Sequence, residues 1–221
     1  MAKSPKRSSQ RGKGSRRPTP PKHASTKLRI VSGEFRGRKV TYHGDPATRP
    51  MKERTREAVF SLLGGKLADT CTLDLFGGTG VLALEAVSRG SQAAIILEFM
   101  HKAVNIIVDN LEELGLKDRI RVQNVDTLRW LKNFSASDLD RTLPDCDWSK
   151  PWIIFVCPPY RLWTAESEKL TDGLSMLRES CPAGSQIVCE TDKSFDVTQA
   201  LPEWKWDARF YDPATIAITR T

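Results

Sequence analysis

Leu73-Asp74-Leu75-Phe76-Gly77-Gly78-Thr79-Gly80 decides how this chain is read. A short apolar run closes on an acid, and a glycine-rich turn leads straight into Val81, Leu82, Leu84 and Val87 at helical spacing. Glycines at such a turn let the backbone reverse sharply and let a ligand approach it closely. The stretch therefore predicts a strand at 72–76, a cradle and a helix at 80–88.

Alternation continues on the carboxyl side. Strands are expected at 93–98, 120–124, 152–156 and 185–190, and helices at 102–114, 127–134 and 165–179. Residues 135–150 are polar, contain Pro144 and read as a surface loop. Two closing strands at 204–210 and 215–219 are near enough to pair as an antiparallel edge hairpin. Strand–helix alternation of this kind predicts an α/β fold, a mostly parallel, doubly wound sheet with helices on both faces. On the amino side, Leu28/Ile30 and Val40/Tyr42 flank a turn at Gly33–Gly37, which predicts a β-hairpin. Apolar residues at 58, 59, 62 and 63 predict an amphipathic helix from Lys52 to Lys66. Residues 1–27 lack apolar periodicity and are rich in Ser, Pro, Gly, Lys and Arg, a composition expected to stay disordered. The expected organisation is a basic tail (1–27), a hairpin-and-helix extension (28–66) and a ligand-binding domain (67–221).

Charge divides the chain in the same place. Seventeen of the 34 Lys/Arg but only four of the 27 Asp/Glu fall within residues 1–60, leaving +13 there and −6 in the remainder. A polyanion would bind the basic end. Arg36, Arg38, Lys39, Arg54 and Arg56 are the candidate phosphate contacts, with both helix arginines expected on its polar side. No stretch approaches the roughly 18 consecutive apolar residues of a membrane span. The cysteines at 71, 146, 157, 181 and 189 are odd in number and form no Cys-x-x-Cys pair, and His23, His43 and His101 lack ligand spacing. A disulfide framework and a metal site are not expected, and a reducing cytoplasm fits. Trp163, Trp204 and Trp206 read as packing residues, and Cys181 and Cys189 as small buried hydrophobes.

In open α/β sheets ligands bind at the carboxyl ends of the strands, where strand order reverses. Asp74 stands there before the glycines, Glu98 ends the next strand and Asp126 follows the one after. A dinucleotide-binding loop is the rival reading. Here, however, Ala83 occupies the third glycine position of Gly-x-Gly-x-x-Gly, and an acid beside the loop would repel a pyrophosphate. S-adenosylmethionine (SAM) carries a sulfonium and an ammonium instead, so the acid suits it. Glu98 is placed for the ribose hydroxyls and Asp126 for the adenine amine. Any one of these acids alone would read as a solvated loop residue; three in succession after a glycine turn point to a cofactor.

The strand at 152–156 runs into Cys157-Pro158-Pro159-Tyr160. Consecutive prolines end ladder pairing and lock the backbone, so the segment is either a rigid terminator with Tyr160 on the core or a preset site. As a site, it suits amine methylation. The lone pair of an exocyclic base amine is delocalised into the ring. An acceptor of fixed direction, such as the Pro158 carbonyl, can hold its hydrogens, and Tyr160 can stack on a flipped-out base.

These segments together resemble the RsmD family of bacterial 16S rRNA (guanine-N2)-methyltransferases. The resemblance spans residues 28 to about 220. It rests on Arg29-Ile30-Val31-Ser32-Gly33-Glu34-Phe35-Arg36-Gly37-Arg38, on Thr48-Arg49-Pro50-Met51, on Arg54-Thr55-Arg56-Glu57-Ala58-Val59-Phe60, and on the glycine loop followed by Leu84-Glu85-Ala86 and Ser88-Arg89-Gly90. It implies a Rossmann-like methyltransferase fold and SAM as cofactor. The implied substrate is 16S rRNA in an assembling small subunit. It also places Arg49 and Pro50 at the cofactor pocket. The cofactor set then comprises Arg49, Pro50, Asp74, Phe76, Gly78, Gly80, Glu98 and Asp126, and the catalytic set Cys157, Pro158, Pro159 and Tyr160.

Two positions depart from the family. Met51 replaces a threonine, and Cys157 replaces the Asp or Asn that precedes Pro-Pro and accepts from the target amine. A thiol is a weak acceptor. Losing one charge-assisted hydrogen bond costs roughly 1.5–3 kcal/mol, on the order of tenfold to a few hundredfold in rate. A weakened or inactive rRNA-binding assembly factor, an adenine-N6 or other RNA methyltransferase, and attack by the cysteine on a ring carbon stay open at this level.

Overall fold

The computed structural model describes residues 1, 26–44, 48, 50–65 and 67–221. The expected disordered tail lies outside these residues except for Met1, Thr26 and Lys27; Arg49 and Lys66 lie outside them too. Thr26 and Lys27 already belong to a strand, so the hairpin includes residues before Leu28.

A small antiparallel hairpin comes first: β1 (Thr26–Arg29) pairs with β2 (Lys39–Tyr42), Leu28 opposite Val40. Helix α1 (Glu53–Leu62) follows, then β3 (Cys71–Asp74), α2 (Val81–Ser88), β4 (Ala93–Glu98), α3 (His101–Leu114) and β5 (Ile120–Asn124). After α4 (Thr127–Lys132) and α5 (Ser137–Thr142) come β6 (Trp152–Val156), α6 (Tyr160–Ala165), α7 (Ser167–Glu179), β7 (Gln186–Asp192), α8 (Val197–Ala200), β8 (Trp206–Tyr211) and β9 (Ala214–Arg220). The seven-stranded sheet runs β5-β4-β3-β6-β7-β9-β8. Its first five strands are parallel, and β9 lies antiparallel to both β7 and β8, which gives the expected edge hairpin. From β3 the chain steps out to β4 and β5, then returns to β6 on the other side of β3. The order therefore reverses between β3 and β6, where such sheets open a crevice.

Three apolar clusters hold the layers. On one face, α4, α6 and α7 cover β3, β6 and β7, with Trp152, Trp163 and Leu174 fully enclosed. On the other, Ile30 and Val40 of the hairpin region pack with α2 and α3, and Val59 and Phe60 of α1 pack against Phe155, Val188 and Ile216. The hairpin and α1 thus contribute to the domain's own core.

Four expectations need correction. Residues 135–150 are not a surface loop: they form α5 and bury Leu139, Leu143, Cys146 and Trp148. Cys146 comes to rest with its sulfur 2.6 Å from that of Cys71, a meeting of thiols 75 residues apart. Secondly, the helix expected at 165–179 is α7, but an unexpected helix, α6, precedes it, beginning at Tyr160 directly after the prolines. Thirdly, a short helix, α8, was not anticipated. The fourth is Arg56. It is 1% exposed, its Nη1 donates to the Met51 carbonyl (2.9 Å) and its Nη2 to that of Arg29 (2.8 Å), and Nε lies 3.4 Å from Glu85. It is a buried brace between helix and hairpin, not a residue of the polar face. The tryptophans are packing residues as expected, Trp163 stacked on Phe195 and Trp204 on Trp206.

Candidate active site

A cavity of ≈ 860 Å³ opens at the carboxyl ends of β3, β4, β6 and β7, at the strand-order reversal. That volume suits a nucleoside-sized ligand with room for a second group.

One wall is the glycine turn. Gly78 and Gly80 take positive φ (53° and 72°), and Gly80 caps α2. A Cβ on Gly77 would meet Ile96 Cγ2 at 2.3 Å and the Leu97 carbonyl at 3.2 Å, so the turn rides directly on β4. Its amide confirms this by donating to the Leu97 carbonyl at 2.8 Å. Glu98 closes the same wall. Its two oxygens accept the N–H groups of Gly78 and Met100, each at 2.6 Å, which fixes the carboxylate at the rim. Each oxygen keeps acceptor capacity for a hydroxyl donor. Asn124 spans the carbonyls of Glu98 and Phe99 (2.9 Å each), and the exposed Phe99 ring borders the opening. Asp126 caps α4 by accepting from the Arg129 N–H at 3.0 Å, and the Thr127 hydroxyl donates to the Leu75 carbonyl, tying that helix to the glycine turn.

Pro50, Phe76, Gly78, Glu98 and Asp126 all line the cavity, together with Thr48 and Met51. Asp74 and Gly80 do not. Asp74 is 1% exposed under the turn, and among the described residues neither of its oxygens receives a hydrogen bond of normal geometry. Burial pushes its carboxyl up to about 7. The Phe76 and Ala83 backbone N–H groups pull against that shift, and the Glu98 carboxylate adds to it. A cation above the turn would favour the ionised form, so the buried acid and the glycine cradle suit a positively charged ligand.

The opposite wall is Cys157 to Tyr160, all four residues lining the cavity. Pro159 has φ −50° and accepts the Leu162 N–H at 2.8 Å, so it starts α6. The Pro158 carbonyl accepts no hydrogen bond among the described residues. The Cys157 thiol is held well above its ordinary value, first by burial and then by the carboxylates of Glu190 and Asp74. It stays protonated at neutral pH, which removes both the thiolate acceptor and the cysteine nucleophile.

Glu190 was not anticipated. It follows Cys189, which pairs with Val156, so it stands beside Cys157 and lines the cavity. The Tyr160 hydroxyl donates to its Oε1 at 2.9 Å, and the Trp163 indole N–H to its carbonyl at 2.8 Å. An acid closing the strand expected at 185–190, just past the last parallel pair with β6, is the same signal that marked Glu98.

The basic residues do not form one patch. Arg36, Arg38 and Lys39 are exposed. However, their turn packs on the carboxyl end of α2, where Glu34 N–H donates to the Ser88 carbonyl at 2.7 Å. That is the end opposite the glycine turn. Arg54 is exposed on α1, whose first turn reaches the cavity through Lys52 and Thr55. Among the described residues no group of three His, Cys, Asp or Glu could hold a metal, and no helix is long and apolar enough to cross a membrane.

Residues 28–219 match the family model described as Conserved hypothetical protein 95. The Escherichia coli protein named Ribosomal RNA small subunit methyltransferase D is 32% identical over 142 residues, 64% of this chain and 65% of that protein. The chain spans less than two thirds of the length of the relatives of that name from Buchnera aphidicola and E. coli, 64% and 65%. Among solved structures, the E. coli protein yhhF superposes with a TM-score of 0.68 at 23% identity, covering 88% of this chain and 98% of that one. An RNA methyltransferase of Salinibacter ruber in complex with S-adenosyl-L-homocysteine superposes with a TM-score of 0.51 at 16% identity, covering 78% and 94%. The fold is the Rossmann-like one of these neighbours.

Proposed function

Since the chain belongs to the family described as Conserved hypothetical protein 95, we propose that it is a SAM-dependent methyltransferase acting on the exocyclic N2 of a guanine in 16S rRNA, within a small-subunit assembly intermediate in the cytoplasm. The observation that carries the reading is convergence. The Glu98 rim and the Cys157–Tyr160 wall, from strands on either side of the reversal, face one cavity.

Each residue has a task in this reading. Glu98 accepts the ribose hydroxyls, while Phe99 and Asp126 border the base-binding end and Asp74 favours a cation from beneath the turn. The names of the relatives support an rRNA substrate, and the S. ruber complex supports the cofactor. When bound, SAM supplies an electrophilic methyl group. The Pro158 carbonyl holds an amine hydrogen in a direction fixed by the proline backbone, and Tyr160 stacks on the base. Arg54, Arg36, Arg38 and Lys39 would take phosphates, with Arg54 nearest the cavity. Arg56 is excluded from that role by burial.

Incubation with labelled SAM and undermethylated small subunits, followed by mapping of the product, tests the reading. Label at guanine N2 in 16S rRNA is expected. Label on adenine or on another RNA would change the target. SAM binding without transfer, against wild-type substrate, would favour an assembly factor that has lost chemistry at Cys157.

A further inference from the structure

We propose that Glu190, steadied by the Tyr160 hydroxyl, is the carboxylate that accepts a hydrogen of the target amine and removes its proton, the work otherwise assigned to the side chain at position 157. This rests on the methyl-transfer reading above.

Cys157 cannot do this work. A protonated thiol is a weak acceptor and no base, and the groups around it hold it protonated. Amine methylation still requires a proton sink. The amine lone pair forms the new N–C bond, the methyl–sulfur bond breaks with its electron pair left on sulfur, and the surplus proton on nitrogen must go to a base and then to water. Pro158 offers a carbonyl that can direct the amine but cannot take a proton at neutral pH.

Glu190 stands one strand over. The register Val156↔Cys189 sets it level with Cys157, on the same cavity floor. One carboxyl oxygen accepts from Tyr160 at 2.9 Å, and its backbone carbonyl accepts from Trp163, so α6 fixes its position from two sides. The residue that would stack on the base thus also aims the carboxylate. A second carboxylate at position 157 would face Glu190 and Asp74 at close range, and like charges crowded there raise one another's pKa. With cysteine at 157, Glu190 is the carboxylate that this wall presents among the described residues.

The test compares wild type, Glu190→Gln, and Glu190→Gln combined with Cys157→Asp, which restores the site's charge one strand away. Methyl transfer to undermethylated small subunits is followed under single-turnover conditions, with SAM affinity measured by titration calorimetry. Glu190→Gln still accepts from Tyr160 through its amide oxygen, so a purely structural role would leave its rate near wild type. The expected result is a rate lowered about 10–150-fold with SAM affinity within about twofold, and at least tenfold recovery in the double variant. A rate within about twofold of wild type, a loss of SAM affinity matching the loss of rate, or no recovery in the folded double variant would each overturn the assignment. A wild-type protein that transfers no methyl group to rRNA would overturn the function itself, a result distinct from an active enzyme indifferent to Glu190.

Discussion

Replacing Asp74 by Asn should make the protein more stable at pH 8 than the wild type, and the advantage should shrink as the pH falls. Asp74 is 1% exposed and its carboxyl is pushed from an ordinary 3.8 up to about 7, chiefly by burial. Between those two values the folded protein binds a proton that the unfolded chain has lost. Stability therefore falls as pH rises through this window and levels off above about 7. At about 1.36 kcal/mol per pH unit, the full penalty is up to ~4 kcal/mol, and relaxation of the turn and water entry bring a realistic figure to about 2–4 kcal/mol. Asn cannot ionise and avoids it. Urea unfolding of both proteins at pH 4.5, 6, 7 and 8 reads the effect as a gap that widens with pH. A constant offset from exchanging a carboxyl for an amide does not affect that slope. Calorimetry with SAM should show the opposite trend in binding. The Asn variant loses affinity at pH 8, where the wild-type acid is ionised beneath a cation, and the difference closes below about pH 6. A stability gap that stays flat from pH 4.5 to 8 would refute the reasoning, because it would mean the carboxyl titrates outside this window.

Two other substitutions probe the frame around the site. Gly77→Ala places a methyl 2.3 Å from Ile96 Cγ2, and Ile96 is fully buried, so the turn has to move off β4. Overpacking of this kind costs about 1–3 kcal/mol, and loosening the Gly78 N–H bond to Glu98 should weaken SAM binding by about tenfold or more; calorimetry showing wild-type affinity would count against the turn's role. Glu85→Ala removes the acid shared by Arg56 and Arg89, whose side chains are 2% and 6% exposed. Two uncompensated buried cations should lower stability by about 3–5 kcal/mol, visible as a fall in Tm of roughly 2–4 °C per kcal/mol.

What was legible in the chain follows from how locally each signal is encoded. The strands β4, β5 and β6 begin and end where expected: β4 and β6 are apolar runs stopped by an acid or by the Cys-Pro-Pro step, and β5 alternates Ile120 and Val122 with polar residues. That Gly78, Glu98 and Asp126 meet at one cavity was legible for the same reason, since each follows or closes one of three successive strands. Helix α6 was missed because the proline pair was read as a stop. Proline's fixed φ equally suits the entry to a helix, and Pro159 serves that way. The core role of 135–150 was hidden by composition. Its few apolar residues are spaced so that Leu139, Leu143 and Trp148 all turn inward, though the segment as a whole is polar. Arg56 and Glu190 share a different obstacle. Each takes its meaning from a residue about 30 positions away, Glu85 in one case and Cys157 and Tyr160 in the other, and only the assembled sheet brings those partners together.

The split of charge along the chain now has a spatial counterpart. Asp74, Glu98, Asp126 and Glu190 surround or underlie one cavity whose lining also holds Lys52 and the exposed Arg161, whereas Arg36, Arg38 and Arg54 lie outside it, on the hairpin turn and on α1. The carboxylates of Glu98 and Asp126 disfavour phosphate beside them, within about 10 Å at moderate salt, while Lys52 and Arg161 favour it at the basic part of the lining. The acidic part favours a cation and the donor edge of a base. An RNA strand approaching this protein would then be held by its backbone at the rim, near Arg54 and Lys52, with an uncharged base entering the acidic part. Backbone contacts position a nucleic acid while base contacts specify it, and on the proposed reading the basic residues would serve the first task and the inner cavity the second. On the proposed reading, acids around the inner cavity and cations at Lys52 and Arg161 would favour a nucleotide that leaves its phosphate at the basic residues and turns its base inward.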